Sequence, residues 1–227
     1  MKLHVIKPSV NNMAARVLVR AAGLQADEVD AYGQTRNPEF LQLCPAHMTP
    51  LLEDAGVPNG ALWESCAIMQ YLCNKNGLNQ FYPSEPAARA KQDSAMLYQT
   101  GSLYPLVARA AYPRLGFPLY PGEVGATDAA DDAKEAARKA SEDAVGEVLE
   151  VYRTSFLDGK PFIGGDSPSI ADMRLAATVE FLRITDYAFP AWLEDYMAAM
   201  SSTLGAAYDE PAADVRGYID YVRSQQG

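Results

Sequence analysis

The chain comprises 227 residues, of which 48% are hydrophobic and 21% are charged, and its formal net charge is −10. This length suits one large domain or two small ones with a sizeable core, and no apolar run approaches the ~18 residues that a membrane-spanning helix requires. The acidic balance disfavours nucleic acids and anionic membranes as partners, because their phosphates repel a negatively charged protein.

The first 83 residues alternate between strand and helix patterns. In chain order we predict a strand at 3–6, a helix at about 12–22, a strand near 28–32, a helical turn at 38–41, strands at 50–53 and 61–63, and a helix that opens at Glu64–Ser65. A βαβ unit is thus followed by a ββα unit.

The pattern changes at the proline-rich segment 83–86, after which apolar residues recur at helical spacing over 87–111, 128–157, 170–186 and 190–200. Ser169 and Asp172 form a capping box ahead of the third of these helices. The stretch from Pro113 to Gly125 is predicted to be an apolar loop, which either packs as a crossover or lines a pocket. We therefore predict two domains, 1–83 and 87–227.

Cysteines and histidines are few. The three cysteines lie at 44, 66 and 73, and an odd number without metal-ligand spacing argues against a disulfide framework and a zinc site. We expect reduced thiols and no bound metal. The apolar run at the start of the chain is too short for a secretory signal, so a cytoplasmic location is expected.

Pro50 and Ser65 mark two places where backbone groups lack regular partners. Proline has no N–H and is tolerated at the first residue of a strand, so the backbone of Thr49 is left available. Ser65 opens a helix whose first N–H groups have no intrahelical acceptor and whose dipole attracts a carboxylate. Together they suit a small peptide with a terminal carboxylate; alternatively, Ser65 only caps its helix and Pro50 only begins its strand.

Three motifs resemble the glutathione transferase superfamily, and the resemblance covers essentially the whole chain. They are Asn-Pro-Glu-Phe-Leu leading to Cys-Pro-Ala-His-Met-Thr-Pro-Leu-Leu at 37–52, Leu-Trp-Glu-Ser-x-Ala-Ile-x-x-Tyr-Leu at 62–72, and Asp-Ser-Pro-Ser-Ile-Ala-Asp at 166–172. His47 ahead of the Thr-Pro step, the Glu64–Ser65 pair and an early serine are most similar to the theta and delta-type classes.

The resemblance implies a thioredoxin-like α/β N-terminal domain, an all-helical C-terminal domain, a homodimer, and glutathione as cosubstrate. Thr49 would pair its backbone with the cysteinyl part of glutathione beside a cis Pro50, and Glu64 and Ser65 would hold the γ-glutamyl end. His47 would reach the glycyl carboxylate, or would be an ordinary exposed loop histidine. The predicted glutathione-binding residues are His47, Met48, Thr49, Pro50, Glu64, Ser65 and Cys66.

Glutathione reacts as its thiolate, whereas a free thiol with a pKa of ~8.5 is only a few per cent ionised at neutral pH. Ser9 lies between the first strand and helix, where its hydroxyl can donate to the sulfur. No tyrosine precedes Tyr32, which excludes the tyrosine-using classes. Asn11 also offers a donor, so Ser9 and Asn11 are the candidate catalytic residues and Ser9 is favoured. The alternative makes Ser9 a turn residue and Asn12 the helix cap.

Cys66 departs from the family pattern, because the delta-like enzymes commonly place an arginine there. One cationic contact to the carboxylates of glutathione is therefore missing. Cys66 and Cys73 are seven residues apart, hence on one helical face, and are predicted to be core residues. A mixed disulfide between Cys66 and glutathione is the less favoured alternative, because no neighbour in the sequence lowers its thiol pKa.

The electrophile site is expected where the helical domain meets the loop before the first helix. The candidate lining residues are Val10, Tyr104, Val107, Ala108, Tyr112, Phe117 and Tyr120. Alternatively, these residues at helical spacing form part of the core.

The resulting hypothesis is a glutathione transferase that joins glutathione to small hydrophobic electrophiles in detoxification. A dehalogenase, an ether-cleaving enzyme or a peroxidase of the same fold is a second possibility, since an apolar pocket suits all of their substrates. A non-catalytic module that binds glutathione or another ligand is a third.

Overall fold

The computed structural model describes residues 1–117 and 130–226. Within these ranges four strands form one sheet: β1 (Lys2–Val5), β2 (Asp27–Asp30), β3 (Leu51–Glu53) and β4 (Ala61–Trp63). The described helices are α1 (Val10–Ala21), α2 (Pro38–Leu43), α3 (Ser65–Asn76), α4 (Pro86–Tyr98), α5 (Tyr104–Leu115), α6 (Asp131–Val151), α7 (Ile170–Glu180), α8 (Ala191–Leu204) and α9 (Ala206–Gln226). The predicted order of a βαβ unit, a ββα unit and a helical remainder is confirmed.

The sheet has the strand order β2-β1-β3-β4. β1 is parallel to β2, whereas β3 is antiparallel to both β1 and β4, with His4 opposite Leu51 and Leu51 opposite Trp63. The end of β1, the start of β3 and the end of β4 therefore meet at one edge of the sheet. The segments 6–9, 47–50 and 64–65 extend from this edge.

The helical half differs from the prediction at its interruptions. The predicted helix 87–111 is a continuous run in which a π-helical segment, Gln99–Leu103, joins α4 to α5. The predicted loop start at Pro113 is wrong, because α5 continues through Pro113 to Leu115 and ends at Gly116, whose φ of 70° terminates the helix. A proline in the last turn removes one helical hydrogen bond but has a helical φ. Residues 118–125 of the predicted loop lie outside the described residues.

Helix α7 lies in the core, and every one of its residues is buried. The predicted capping box at its start is confirmed. The Asp172 carboxylate accepts hydrogen bonds from the backbone N–H groups of Ser169, Ile163 and Gly164 and from the hydroxyls of Ser169 and Tyr196. A buried carboxylate with this many donors fixes the loop before α7, because each donor would otherwise be unsatisfied.

Helix α1 joins the sheet to the helical half by packing against α7 and α9. Arg16 is buried on α1. Its Nε lies 3.1 Å from both carboxylate oxygens of Glu28 in β2, and its Nη1 lies 2.8 Å from Asp214 of α9. Arg20 also donates to Glu28 and lies 3.5 Å from Glu210. These ion pairs tie α9 to the N-terminal half.

No helix in the described part of the chain combines the length and apolar character needed to span a bilayer.

The Glu28→Gln variant tests this link between the halves. Burial acts to raise the pKa of Glu28, but hydrogen bonds from Arg20 and Arg16 outweigh it and hold the pKa below its usual value. We expect the variant to lower the free energy of unfolding at pH 7 by about 1–3 kcal/mol. A depressed folded pKa stabilises the protein above the unfolded value of ~4.3, and this contribution is lost as the pH falls through the folded value.

Denaturant unfolding of wild type and variant as a function of pH measures the effect, and the difference should narrow below pH ~4.3. Glu210→Gln is the control, because Glu210 is 66% exposed and its pair with Arg20 is long. It should change stability by less than about 0.5 kcal/mol. A difference for Glu28→Gln that is the same at every pH would contradict the assignment.

Candidate functional site

Three segments that carry the predicted site residues meet at one edge of the sheet. Ser9 follows β1, Thr49 and Pro50 precede β3, and Glu64 and Ser65 follow β4. The antiparallel pairing of β3 with both neighbours brings these segments together although up to 56 residues separate them in the sequence.

The Thr49–Pro50 peptide bond is cis. The hydrogen-bonded pairing of β3 begins at Leu51, so Thr49 lies outside the sheet. Among the described residues, no backbone hydrogen bond involves the N–H or C=O of Thr49. Its hydroxyl accepts a hydrogen bond from Asn12 Nδ2 at 3.0 Å. Thr49 is thus positioned against α1 with its main chain available to an extended ligand.

Glu64 has an unusual backbone conformation, with φ of 74° and ψ of 115°. A non-glycine residue there is strained, and such strain is found preferentially at functional sites. Glu64 is exposed, whereas the following Ser65 is 4% exposed and is the first residue of α3. The turn therefore presents an acidic side chain beside a helix N-terminus, where the amide dipoles favour an anion.

Ser9 occupies the N-cap position of α1. Its N–H donates to the Ile6 carbonyl at 2.9 Å and its carbonyl accepts from Met13 N–H at 2.8 Å. Its side chain makes no capping bond, and no hydrogen bond within the described ranges involves its hydroxyl. The alternative in which Asn12 caps α1 is wrong, because Asn12 is the third residue of the helix and its Oδ1 accepts no hydrogen bond from the described residues.

Asn11 lies two residues further along, about half a helical turn, and contacts the helical half. Its Nδ2 donates to the Tyr104 hydroxyl at 2.9 Å, and that hydroxyl lies 2.6 Å from the Tyr112 hydroxyl. Its Oδ1 is buried without a hydrogen-bond partner in the described part of the structure. Asn11 thus connects the start of α1 to α5. Its amide donates a hydrogen bond to Tyr104, whereas the Ser9 hydroxyl has no hydrogen-bond partner among the described residues.

The predicted electrophile-site residues occupy two environments. Val10, Val107 and Ala108 are fully enclosed in the core, and Tyr104 is nearly so. Tyr112 and Phe117 are partly buried and pack edge to face, with ring centroids 5.5 Å apart. Tyr120 lies outside the described residues.

Tyr112 and Phe117 form part of an aromatic wall, and two further aromatic residues of this wall were not predicted from the sequence. Phe117 packs against Phe181, with ring centroids 5.9 Å apart, and stacks on Tyr218 of α9 at 5.5 Å. Helix α9 was not singled out as an apolar helix. The three-residue spacing of Tyr218 and Tyr221 was the available signal for an aromatic face.

His47 and Met48 are exposed on the loop before Thr49. His47 has a positive φ of 48°, and its N–H donates to the Cys44 carbonyl at 2.9 Å. Neither side chain has a hydrogen bond or ion pair with another described residue. Both are therefore accessible to a ligand bound along Thr49.

The cysteines behave as core residues to different degrees. Cys44 and Cys73 are buried, and burial raises the pKa of Cys73 to about 12. Cys66 is half-buried in the first turn of α3 and packs against the core. The predicted core placement of Cys66 and Cys73 on one helical face agrees with these positions.

The Glu64→Gly variant tests the strain in the turn before α3. Glycine adopts positive φ without steric cost, so we expect the free energy of unfolding to rise by about 1 kcal/mol after the added flexibility of the unfolded chain is deducted. Asn59→Gly is the control, because Asn59 at φ 60° and ψ 12° occupies a region that asparagine tolerates. Denaturant unfolding should show a change within about 0.5 kcal/mol for the control. Destabilisation by Glu64→Gly would show that side-chain contacts outweigh strain.

Two family models match the sequence. "Glutathione S-transferase, N-terminal domain" matches residues 1–74, and "Glutathione S-transferase, C-terminal domain" matches residues 131–200. The two matches together span well over half of the chain and include all three segments at the sheet edge.

Solved structures of this family resemble the chain over almost its full length. A delta-class glutathione transferase from Nilaparvata lugens is 24% identical, with a TM-score of 0.75 and coverage of 97% of this chain and 99% of that one. A human theta-class enzyme in complex with the glutathione conjugate of 1-menaphthyl sulfate is 20% identical, with a TM-score of 0.80 and coverage of 99% and 91%. A theta-class enzyme from Xanthomonas axonopodis pv. citri with glutathione bound is 21% identical, with a TM-score of 0.75 and coverage of 93% and 96%. These likenesses establish the fold, and with both family models they show that the chain belongs to the glutathione S-transferase superfamily, with delta- and theta-class enzymes among its structural neighbours.

Proposed function

We propose that the chain is a glutathione transferase that binds glutathione at the sheet edge, activates its thiol with Ser9 and joins the sulfur to a hydrophobic electrophile. The observation that carries this proposal is the unengaged Ser9 hydroxyl at the start of α1, beside a Thr49 whose backbone lies outside the sheet ladder. The human and Xanthomonas structures hold a glutathione conjugate and glutathione, respectively, on the same fold.

Glutathione is an extended tripeptide with a carboxylate at each end, and the sheet edge offers a complement to each part. Thr49 pairs its main chain with the cysteinyl residue. Glu64 accepts from the γ-glutamyl ammonium group, while the first turn of α3 at Ser65 donates to the γ-glutamyl carboxylate. His47 donates to the glycyl carboxylate, and Met48 and Pro50 flank the bound peptide.

Thiol activation requires that the charged form be stabilised selectively. Lowering a thiol pKa by ~2 units corresponds to about 2.7 kcal/mol, which one or two hydrogen bonds to the thiolate and a helix N-terminus can supply. Ser9 provides the hydroxyl and α1 provides the helix N-terminus. Ser9 is preferred to Asn11 because its hydroxyl makes no hydrogen bond within the described residues, whereas one of the two N–H donors of the Asn11 amide is used by the Tyr104 hydroxyl.

The electrophile is proposed to bind against α5 and the segment after it, where Tyr112 and Phe117 carry the exposed parts of an aromatic wall and Tyr104 lies buried behind them. Val10, Val107 and Ala108 support this wall from the core, and Tyr120 belongs to the same proposed set. Aromatic side chains suit a flat apolar electrophile. The bound thiolate attacks the electrophilic carbon, the C–S bond forms, and the leaving group departs with the electron pair of the bond that breaks.

Several wider features belong to the proposal and are supported by family membership alone. They are a homodimer, a cytoplasmic location, a role in detoxification and a division between domains 1–83 and 87–227. The start of α4 at Pro86 agrees with that division.

The Ser9→Ala variant tests thiol activation. The thiol pKa of glutathione bound to the wild type should lie well below the free value of ~8.5. In the variant this pKa should rise by about 1–2 units, and kcat/KM should be about 10–100-fold lower. Thiolate absorbance of the bound peptide against pH, together with calorimetric glutathione affinity, makes the measurement. The affinity should change little.

Asn11→Ala is the matched control, because it removes the neighbouring donor and leaves Ser9. A thiol pKa that moves in Asn11→Ala but not in Ser9→Ala would assign the role to Asn11. Glutathione that binds to the wild type with an unshifted thiol would instead favour a non-catalytic binding module.

A further inference from the structure

Arg174 is a buried cation on α7 with few partners. Its exposed fraction is 3%, its Nη1 donates to Thr178 Oγ1 at 3.1 Å, and its Nε is buried without a hydrogen-bond partner. Among residues 1–117 and 130–226, no carboxylate forms an ion pair with its guanidinium group. Bulk solvent therefore reaches almost none of the side chain, and no acidic side chain of the described structure balances its positive charge.

Two other buried arginines form ion pairs with carboxylates. Arg138 is 5% exposed and contacts the carboxylates of Glu135 and Glu142, and Arg16 contacts Glu28 and Asp214. An unpaired charge in the interior destabilises the folded state, and such a residue is retained most readily where it serves a site. Within residues 1–117 and 130–226, Arg174 thus has a charge that calls for a negative partner.

The position of Arg174 indicates where that partner forms. The guanidinium carbon lies over the ring of Tyr104, 5.3 Å from the ring centroid, and the Tyr104 hydroxyl accepts from Asn11. Asn11 is two residues from Ser9. One aromatic ring and one hydrogen bond therefore separate the cation from the start of α1, where the thiol of glutathione is proposed to lie.

We propose that Arg174 is a positioning residue for thiol activation, whose buried charge acts through Tyr104 and Asn11 to stabilise the glutathione thiolate at the start of α1. This inference rests on the proposed function. The thiol gives its proton to solvent, and the negative charge left on sulfur balances a positive charge that the folded protein already holds. The guanidinium charge does not change with pH in this role, because arginine is not deprotonated in proteins.

The titratable groups around Arg174 do not cancel its charge at neutral pH. Tyr104 contacts it from α5, and Tyr112 lies beyond the Tyr104 hydroxyl. Tyr152, from the π-helical segment 152–157 that follows α6, also faces it; burial raises the pKa of Tyr152 and the charge of Arg174 opposes that rise. Cys66 of α3 lies close enough to Tyr152 to influence the same pKa. None of these groups is an acid that ionises below neutrality.

The Arg174→Met variant removes the charge and keeps a side chain of comparable length. A unit charge on the order of 10 Å away, at an effective dielectric constant of about 20, shifts a pKa by roughly one unit. We expect the thiol pKa of bound glutathione to rise by about one unit, which makes the ratio of thiolate to thiol about tenfold smaller at any given pH. The affinity for glutathione should fall relative to that for S-methylglutathione, which has no ionisable thiol.

Stability separates this electrostatic role from a structural one. Because the variant removes an uncompensated buried charge, its thermal unfolding midpoint should stay the same or rise. Arg138→Met is the matched control: it breaks a buried ion-pair cluster, so its midpoint should fall while the thiol pKa of bound glutathione stays at the wild-type value. Arg174→Lys keeps the charge and should retain most of the wild-type thiol pKa.

A thiol pKa that is the same in Arg174→Met and the wild type overturns the proposal, whatever the stability. If Arg174→Met does not fold, Arg174→Gln is titrated instead, since its amide can still donate to Thr178 and its charge is zero. The wild-type titration distinguishes the two levels of inference. An unshifted thiol in the wild type refutes thiol activation by this protein, whereas a shifted wild-type thiol with no effect of Arg174 refutes only the role of Arg174.

Discussion

The antiparallel register of β3 between β1 and β4 is the constraint on which the site depends. It sets His4 opposite Leu51 and Leu51 opposite Trp63, so that the end of β1, the start of β3 and the end of β4 lie side by side. A slip of one residue would turn every side chain of β3 to the opposite face of the sheet. Leu51 and Leu52 are fully buried on the two faces of this strand and pack in two separate core clusters, so such a slip would disrupt both clusters.

Polar groups around this edge are left in states that cost stability. The Ser9 hydroxyl caps nothing, the main chain of Thr49 stands outside the ladder, and Glu64 holds a strained backbone conformation. Arg174 adds a buried charge without a carboxylate partner in the described part of the protein. Ser9, Thr49 and Glu64 lie together at the sheet edge, and departures from good local structure that gather at one place are expected of a preorganised binding site.

Features that depend on local chemistry could be predicted from the sequence. Pro50 at the start of a strand, the helix that opens at Ser65 and the capping box at Ser169 each follow from residues within a few positions of one another. The turn before α3 could be located but its strain could not, because the positive φ of Glu64 results from the way β4 enters the helix.

Features that depend on long-range packing could not be predicted. Pro113 looked like a helix break, yet the packing of α5 outweighs the loss of one hydrogen bond in its last turn. Tyr218 reaches Phe117 only because α9 folds back along α1. The sequence pattern gives Arg174 the appearance of an ordinary helix residue, and only the packing of the described residues shows that none of their carboxylates pairs with it.

Helix α1 packs against both halves of the molecule, and in the proposed function this shared position lets both of them act on the glutathione sulfur. Its start carries Ser9 at the sheet edge and Asn11 bonded to Tyr104 of α5, while Arg16 further along holds α9. In the proposed function, the sheet register sets where the glutathione sulfur lies, and the helical half sets its electrostatic surroundings and the shape of the electrophile site. Substitutions in α5 or α9 are then expected to change the electrophile while the backbone proposed to hold glutathione stays in place.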